Sequence, residues 1–195
     1  FMFWELSLIP AFFLVRLWGG PQRAPAATQF FIYTMVGSVA MLLAFLAIFF
    51  ATSQPGVAGV FDFIELGKLA ARGELNPALV SKLGWFDLTG RQLATVIFGG
   101  VLLGFAVKVP LLPFHTWLPA TYAEAPTGVS MVLTGVMSKM GVYGFLRILL
   151  PIFPNEMQIM LTPLLWLAVA TIVFSAWAAM VQKDLKRIVA YSSIN

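Results

Sequence analysis

The chain has 195 residues, 60% of them hydrophobic and only 10% charged, whereas soluble domains carry roughly 25% charged residues, so a water-soluble globule is excluded and an integral membrane protein is indicated. With no cysteine and a single histidine, His115, the chain cannot by itself hold a thiolate-bound iron–sulfur cluster or a haem with two histidine ligands. The net charge of +4 comes from twelve basic residues scattered over loops, with two inside apolar spans, so there is no basic face for a nucleic acid.

Crossing about 30 Å of hydrocarbon at about 1.5 Å per residue takes roughly 20 residues, and five segments reach or approach that length. The first, 1–18, carries Glu5 and Pro10. The second, 30–50, has no charge. A connection over 52–92 follows, with acids Asp62, Glu65, Glu74 and Asp87 and bases Lys68, Arg72, Lys82 and Arg91. Phe61, Ile64, Leu66 and Leu69 there read either as the apolar side of a short surface helix or as part of a solvated connector. The third span, 93–117, passes through Lys108-Val-Pro110, where proline must break the helix within a turn of the charge. The fourth, 129–150, has Lys139 at its middle, Arg147 near its end and the stop signal Pro151-Ile-Phe-Pro-Asn155 after it. The fifth, 162–181, is uncharged, and 188–195 reads as the start of another helix. These spans predict an all-α, polytopic transmembrane bundle, since a helix satisfies its own backbone groups in lipid. The apolar start and the new segment at the end predict a piece of a longer polypeptide, and no cleavable signal peptide is recognisable.

Orientation follows from the short loops. Arg16 and Arg23 flank the first connection and Gln182-Lys-Asp-Leu-Lys-Arg187 follows the fifth span, which predicts both on the cytoplasmic side and 52–92 on the other.

A charge in hydrocarbon is costly and marks function by default. Counting from Trp117 and Thr127 as cytoplasmic ends, Lys108 lies about 14 Å deep and Lys139 about 18 Å deep, while Glu5, counted from Trp18, lies about 20 Å deep. All three are thus predicted near the midplane, with Glu5 and Lys108 as a pair. Desolvation disfavours an ammonium and a nearby carboxylate favours it, so such a pair stores a proton according to how close the carboxylate stays. Thr134 and Ser138 beside Lys139, and His115 after Lys108, offer polar groups for a water file between the lysines. Two readings stay open here: Lys108 donating to carbonyls freed by Pro110, and His115 as a structural residue of the loop rather than a relay. Glu124, before Pro126-Thr127, reads as an acid favourable at a helix start.

Four motifs carry a resemblance. Phe105-Ala-Val-Lys-Val-Pro-Leu-Leu-Pro-Phe-His-Thr-Trp-Leu-Pro119, Glu124-Ala-Pro-Thr127, Lys139-Met-Gly-Val-Tyr-Gly144 and Asp184-Leu-Lys-Arg-Ile-Val-Ala-Tyr-Ser-Ser193 resemble the antiporter-like membrane subunits of respiratory complex I. Trp18-Gly-Gly20 and Ala26-Ala-Thr-Gln-Phe-Phe-Ile-Tyr33 add to the match, and a lysine rather than a histidine at position 139 resembles the M-type branch. The resemblance implies part of a subunit of fourteen or so helices in two inverted repeats, with Glu5, Lys108 and Lys139 as the proton relay. It also implies the other membrane-arm subunits as partners, FMN and iron–sulfur clusters on partner chains with no cofactor or metal in this one, and quinone at the level of the complex. The membrane implied is the bacterial inner membrane, or a thylakoid or mitochondrial inner membrane. Two departures stand out, Ala120 and Tyr122, where the family commonly has aspartate and histidine. Alternative functions are a subunit of an Mrp-type cation/proton antiporter and a structural membrane scaffold.

Overall fold

The computed structural model describes residues 1–53, 59–83 and 89–194, and every regular element among them is a helix. Asp87, Asn195 and the Lys82 side chain lie outside the described residues.

The first segment is two helices, α1 (Met2–Leu6) and α2 (Leu8–Trp18). Ser7 between them keeps helical dihedrals, its N–H donating to the Phe3 carbonyl at 3.3 Å and its carbonyl accepting the Ala11 N–H at 3.4 Å, so the interruption is slight and has a local cause. Pro10 offers no N–H to the Leu6 carbonyl and its ring crowds that oxygen, and the Ser7 hydroxyl donates to the Trp4 carbonyl at 2.8 Å. Then comes α3 (Arg23–Thr52), a helix of 30 residues.

The connection after α3 folds into α4 (Phe63–Ala71), with the Asp62 carboxylate accepting the Ile64 N–H at 2.7 Å, and α5 (Leu75–Leu83). Both pack on the bundle: Leu66, Leu75 and Leu79 are buried, while Phe61 and Ile64 face outward. Leu66 alone of α4 is fully buried, while Leu69 and Ala70 pack against the same cluster partly covered and the Phe63 ring lies 5.8 Å from that of Phe45.

Next come α6 (Gly90–Lys108) and, after the irregular stretch 109–116, α7 (Trp117–Glu124). The Gln92 side chain accepts the Thr89 N–H at 3.0 Å and closes the start of α6. A long helix, α8 (Thr127–Ile152), contains two π-helical turns, at Leu133–Met137 and Phe145–Leu149. α9 (Pro154–Val181) starts at Pro154, eight residues ahead of the predicted span, since proline suits the first helical turn and Glu156 there favours the positive helix end. The last helix, α10 (Leu185–Ser192), is capped by Asp184, which accepts the Lys186 N–H at 3.1 Å. Helices α3, α6, α8 and α9 are each long and apolar enough to cross a membrane.

Small residues let these helices close on one another, as packing in lipid requires. A Cβ added to Gly104 of α6 would lie 2.7 Å from the Met41 Cβ and 3.0 Å from the Gly37 carbonyl oxygen of α3. On the other flank of α6, a Cβ on Gly141 of α8 would lie 2.6 Å from Val109 Cγ2 and 3.1 Å from Lys108 Cβ.

The short connections meet at one end. The Gly20 N–H donates to the Glu124 carbonyl at 2.8 Å, the Gln22 N–H to the Glu124 carboxylate at 2.9 Å, and Lys186 Nζ to the Ala123 and Ala125 carbonyls at 3.4 and 3.5 Å. The Glu124 carboxylate thus serves the start of α3, whose N-cap is Gln22, and not that of α8, which has no side-chain cap and no acid in its first turn. Two apolar clusters fill the interior. One, holding Met41, Leu79, Phe98, Phe105 and Phe153, lies beneath α4 and α5; the other joins Leu8, Phe30, Trp117, Tyr122 and Ala190 nearer the short connections.

Candidate functional site

Phe105, one turn before Lys108, belongs to the first apolar cluster and Trp117, across the break, to the second, so Lys108 sits at the seam between them. Its side chain is 2% exposed. The proline break frees backbone carbonyls around it, yet the ammonium serves none of them. The Ala106 carbonyl accepts the Leu111 N–H at 3.0 Å, and the Val107 carbonyl accepts the Trp117 indole N–H at 3.0 Å. Lys108 Nζ is buried without a hydrogen-bond partner, so it does not donate to the carbonyls that Pro110 frees.

What surrounds the ammonium comes from α1. Nζ lies 5.1 Å from the centroid of the Trp4 ring, and the carboxylate whose field reaches it is that of the next residue, Glu5. No carboxylate oxygen lies within 4.0 Å of Nζ among the described residues, so Glu5 and Lys108 are neighbours without a contact ion pair. Glu5 is half-buried, and its Oε1 also lacks a hydrogen-bond partner. In a poorly solvated place the attraction between an acid and a base changes more steeply with their spacing than it does in water.

The break itself is tethered. The Leu112 N–H donates to the Thr171 hydroxyl of α9 at 3.2 Å, and that hydroxyl donates to the Leu167 carbonyl at 2.7 Å. His115 is half-buried in the same stretch, with Nδ1 buried and without a hydrogen-bond partner.

Lys139 stands apart from this group. Gly141 and Gly144 present α8 to α6, and a residue two positions away points roughly 200° around the helix. Lys139 accordingly faces away from Lys108, exposed. The π turn at Leu133–Met137 ends one residue before Ser138 and Lys139; its extra residue rotates everything after it by roughly 100°, and such turns recur at functional sites. The Thr134 and Ser138 hydroxyls donate to the Ser130 and Thr134 carbonyls, both at 2.7 Å. They line the side of α8 without bridging to Lys108. Tyr122, one of the two departures, is buried and packs edge-on against Trp117 at 6.5 Å and 87°.

Sequence reasoning missed Trp4, Trp117 and Thr171. For Trp4 the signal was its place beside an intramembrane acid; for Thr171 it was a hydroxyl in an uncharged span facing a broken helix.

Comparison with known proteins places this geometry. The family model described as NADH:quinone oxidoreductase/Mrp antiporter, TM, matches residues 1–195. NADH-quinone oxidoreductase subunit M of Rhodobacter capsulatus is 41% identical over 194 residues, covering 100% of this chain and 36% of the relative. F(420)H(2) dehydrogenase subunit M of Methanosarcina mazei is 43% identical over 198 residues, with the same coverages of 100% and 36%. Among solved structures, a chain of respiratory complex I from Thermus thermophilus with bound NADH matches at a TM-score of 0.72 and 31% identity, over 99% of this chain and 37% of that one. The chain thus spans a little over a third of the length of these relatives.

Proposed function

Because the chain belongs to the NADH:quinone oxidoreductase/Mrp antiporter membrane family, we propose that it is part of a proton-translocating membrane-arm subunit of a redox-driven quinone oxidoreductase. It moves protons and transfers no electrons. The observation that carries this reading is Lys108: an ammonium 2% exposed, at the end of a broken membrane helix, with no hydrogen bond and Glu5 beside it. A structural lysine would donate to the freed carbonyls, and Lys108 Nζ donates to none of them.

In the proposed cycle a closer approach of Glu5 favours the charged form of Lys108, which draws a proton in. Withdrawal of Glu5, or its own protonation, releases that proton towards Lys139. Because Lys139 faces away from Lys108, the proton must pass around α8, past Ser138, rather than straight between the two amines. From Lys139 it would continue to a surface that this chain leaves open, which in the whole subunit other helices would cover. Moving each charge against 100 mV takes about 2.3 kcal/mol, so the drive comes from redox chemistry on partner subunits carrying FMN and iron–sulfur clusters. The names of the relatives, an NADH-quinone oxidoreductase and an F(420)H(2) dehydrogenase, favour a redox-driven complex over a free-standing antiporter. They also leave the electron donor to the partner subunits.

The test is a double-mutant cycle in membrane vesicles holding the whole complex, with assembly followed by native gel. Glu5→Gln and Lys108→Ala should each lower proton pumping and quinone reduction about a hundredfold or more, the scale of a lost proton-transfer group. The double variant should be no worse than either single one, as groups sharing one task are non-additive. Two active single variants whose losses multiply independently would show that the pair is not a unit.

A further inference from the structure

Beside the Lys108 ammonium lies an aromatic face that the relay of charged groups does not include. The distance of 5.1 Å from Nζ to the Trp4 centroid falls inside the range of about 6 Å over which a cation is held by the quadrupole of a ring. The same ring meets Phe105 edge-on, at 5.8 Å and 66°. Phe105 is 1% exposed and lies one turn before Lys108 on α6, so the indole is braced against the helix that carries the lysine.

We propose that Trp4 is a positioning residue of the relay, whose indole face holds the Lys108 ammonium next to Glu5 by cation–π attraction. This rests on the reading above that Lys108 carries a transferred proton. Trp4 and Glu5 are consecutive residues of α1, a helix of five residues separated from α2 at Ser7. Consecutive helical residues point roughly 100° apart, so the ring and the carboxylate approach the ammonium from two directions and move as one piece. The ring attracts an ammonium and not the neutral amine. It therefore distinguishes the two protonation states of Lys108, which a leucine of similar bulk would not. Of the polar atoms in this cluster, Trp4 Nε1, Glu5 Oε1 and Lys108 Nζ are all buried with no hydrogen-bond partner, which leaves the charge of Glu5 and the face of Trp4 as what holds the ammonium.

Replacement of Trp4 by tryptophans bearing one, two and more ring fluorines, in the intact complex in sealed vesicles, isolates this attraction. Fluorine draws electron density out of the ring face while hardly changing its size, so a packing role would not respond. Proton pumping should fall stepwise with fluorine number, by roughly threefold or more over the series, the scale of a weakened cation–π contact. Trp4→Phe should fall between the native protein and Trp4→Leu. A flat fluorine series, or native pumping in Trp4→Leu, overturns the proposal. Should Trp4→Leu fail to assemble, the fluorine series still decides. Lys108→Ala, measured alongside, separates the two ideas: lost pumping there with a flat fluorine series removes the role of Trp4 alone, whereas normal pumping in Lys108→Ala removes the relay and the role of Trp4 with it.

Discussion

Thr171→Val should loosen the helix break beside Lys108 and little else. The Thr171 side chain is 3% exposed, accepts the Leu112 N–H at 3.2 Å and donates to the Leu167 carbonyl at 2.7 Å. Valine has nearly the same shape but no acceptor, so the Leu112 amide loses its partner. A buried donor left unmet costs about 1–3 kcal/mol, whereas the Leu167 carbonyl keeps the backbone bond of its own helix. Because about 1.4 kcal/mol corresponds to a factor of ten, local opening of the break should become roughly 5- to 150-fold more frequent. Hydrogen exchange of the solubilised complex reads this directly, since exchange rates report local opening free energies. A peptide covering 109–118 should exchange faster by that factor, Thr171→Ser should behave like the native protein, and peptides from α3 should not change. Equal exchange at 109–118 in the valine variant and the native protein would refute the tether, and so would a uniform rise that included α3.

Lys139→Ala should leave the complex assembled while lowering pumping and quinone reduction together, and Lys139→Arg should restore little because a guanidinium effectively never gives up its proton; full activity in the alanine variant would make Lys139 structural. In this cysteine-free chain, a cysteine at Arg23 should react with an impermeant reagent only from the cytoplasmic side and one at Glu74 only from the other, as the charge bias of the short loops requires; the reverse pattern would invert the topology. Pro10→Ala should restore the missing bond to the Leu6 carbonyl, gaining up to about 3 kcal/mol of local helix stability, and yet lower pumping, because the turn that carries Trp4 and Glu5 would bend less readily; unchanged pumping with raised thermal stability would show that the weakened turn has no part in the cycle.

How much of this was legible beforehand follows from what each feature costs. Glu5, Lys108 and Lys139 stand out in the sequence because an ionised group in hydrocarbon is expensive, and Pro110 because it removes a backbone donor; both effects are properties of single residues. The direction in which Lys139 points is not. It depends on which face of α8 meets α6, and that is fixed by the close contacts of Gly141 and Gly144 with α6, a matter of packing between helices. Trp4 was hidden for a different reason: with 14% aromatic residues in the chain, a tryptophan in a span carries no information until its ring is found over a charge. In the connection after α3, Leu66 was legible as part of an apolar pattern, but Leu75 and Leu79 of α5 were not, since two leucines four apart become a buried face only once α3 and α6 lie beneath them. Glu124 was legible as an acid for a helix start, while the helix it serves across space, α3, was not.

The helix end at Lys108 and a proline-weakened turn near Glu5 fall where the two halves of the charged group sit. Lys108 is the last residue of α6, cut off by Pro110, and Glu5 lies on α1 one residue before Leu6, whose carbonyl Pro10 leaves without its helical N–H. Within a continuous helix a side chain can change position only by switching rotamer or by moving the whole rod, which the close seats at Gly104 and Gly141 oppose. At a helix end a few backbone angles suffice. On the proposed relay, a helix end at Lys108 and a proline-weakened turn near Glu5 would let their separation change while the apolar clusters on either side stay packed. In a poorly solvated seam the attraction between unit charges changes steeply with distance, so on the proposed relay a small movement of Glu5 would bias whether Lys108 keeps its proton. The bracing matters as much as the breaks. Trp117 ties the end of α6 to α7 through the Val107 carbonyl, and Thr171 ties the following loop to α9, so Lys108 is held on its own side and the freedom is left to the short helix that carries Trp4 and Glu5.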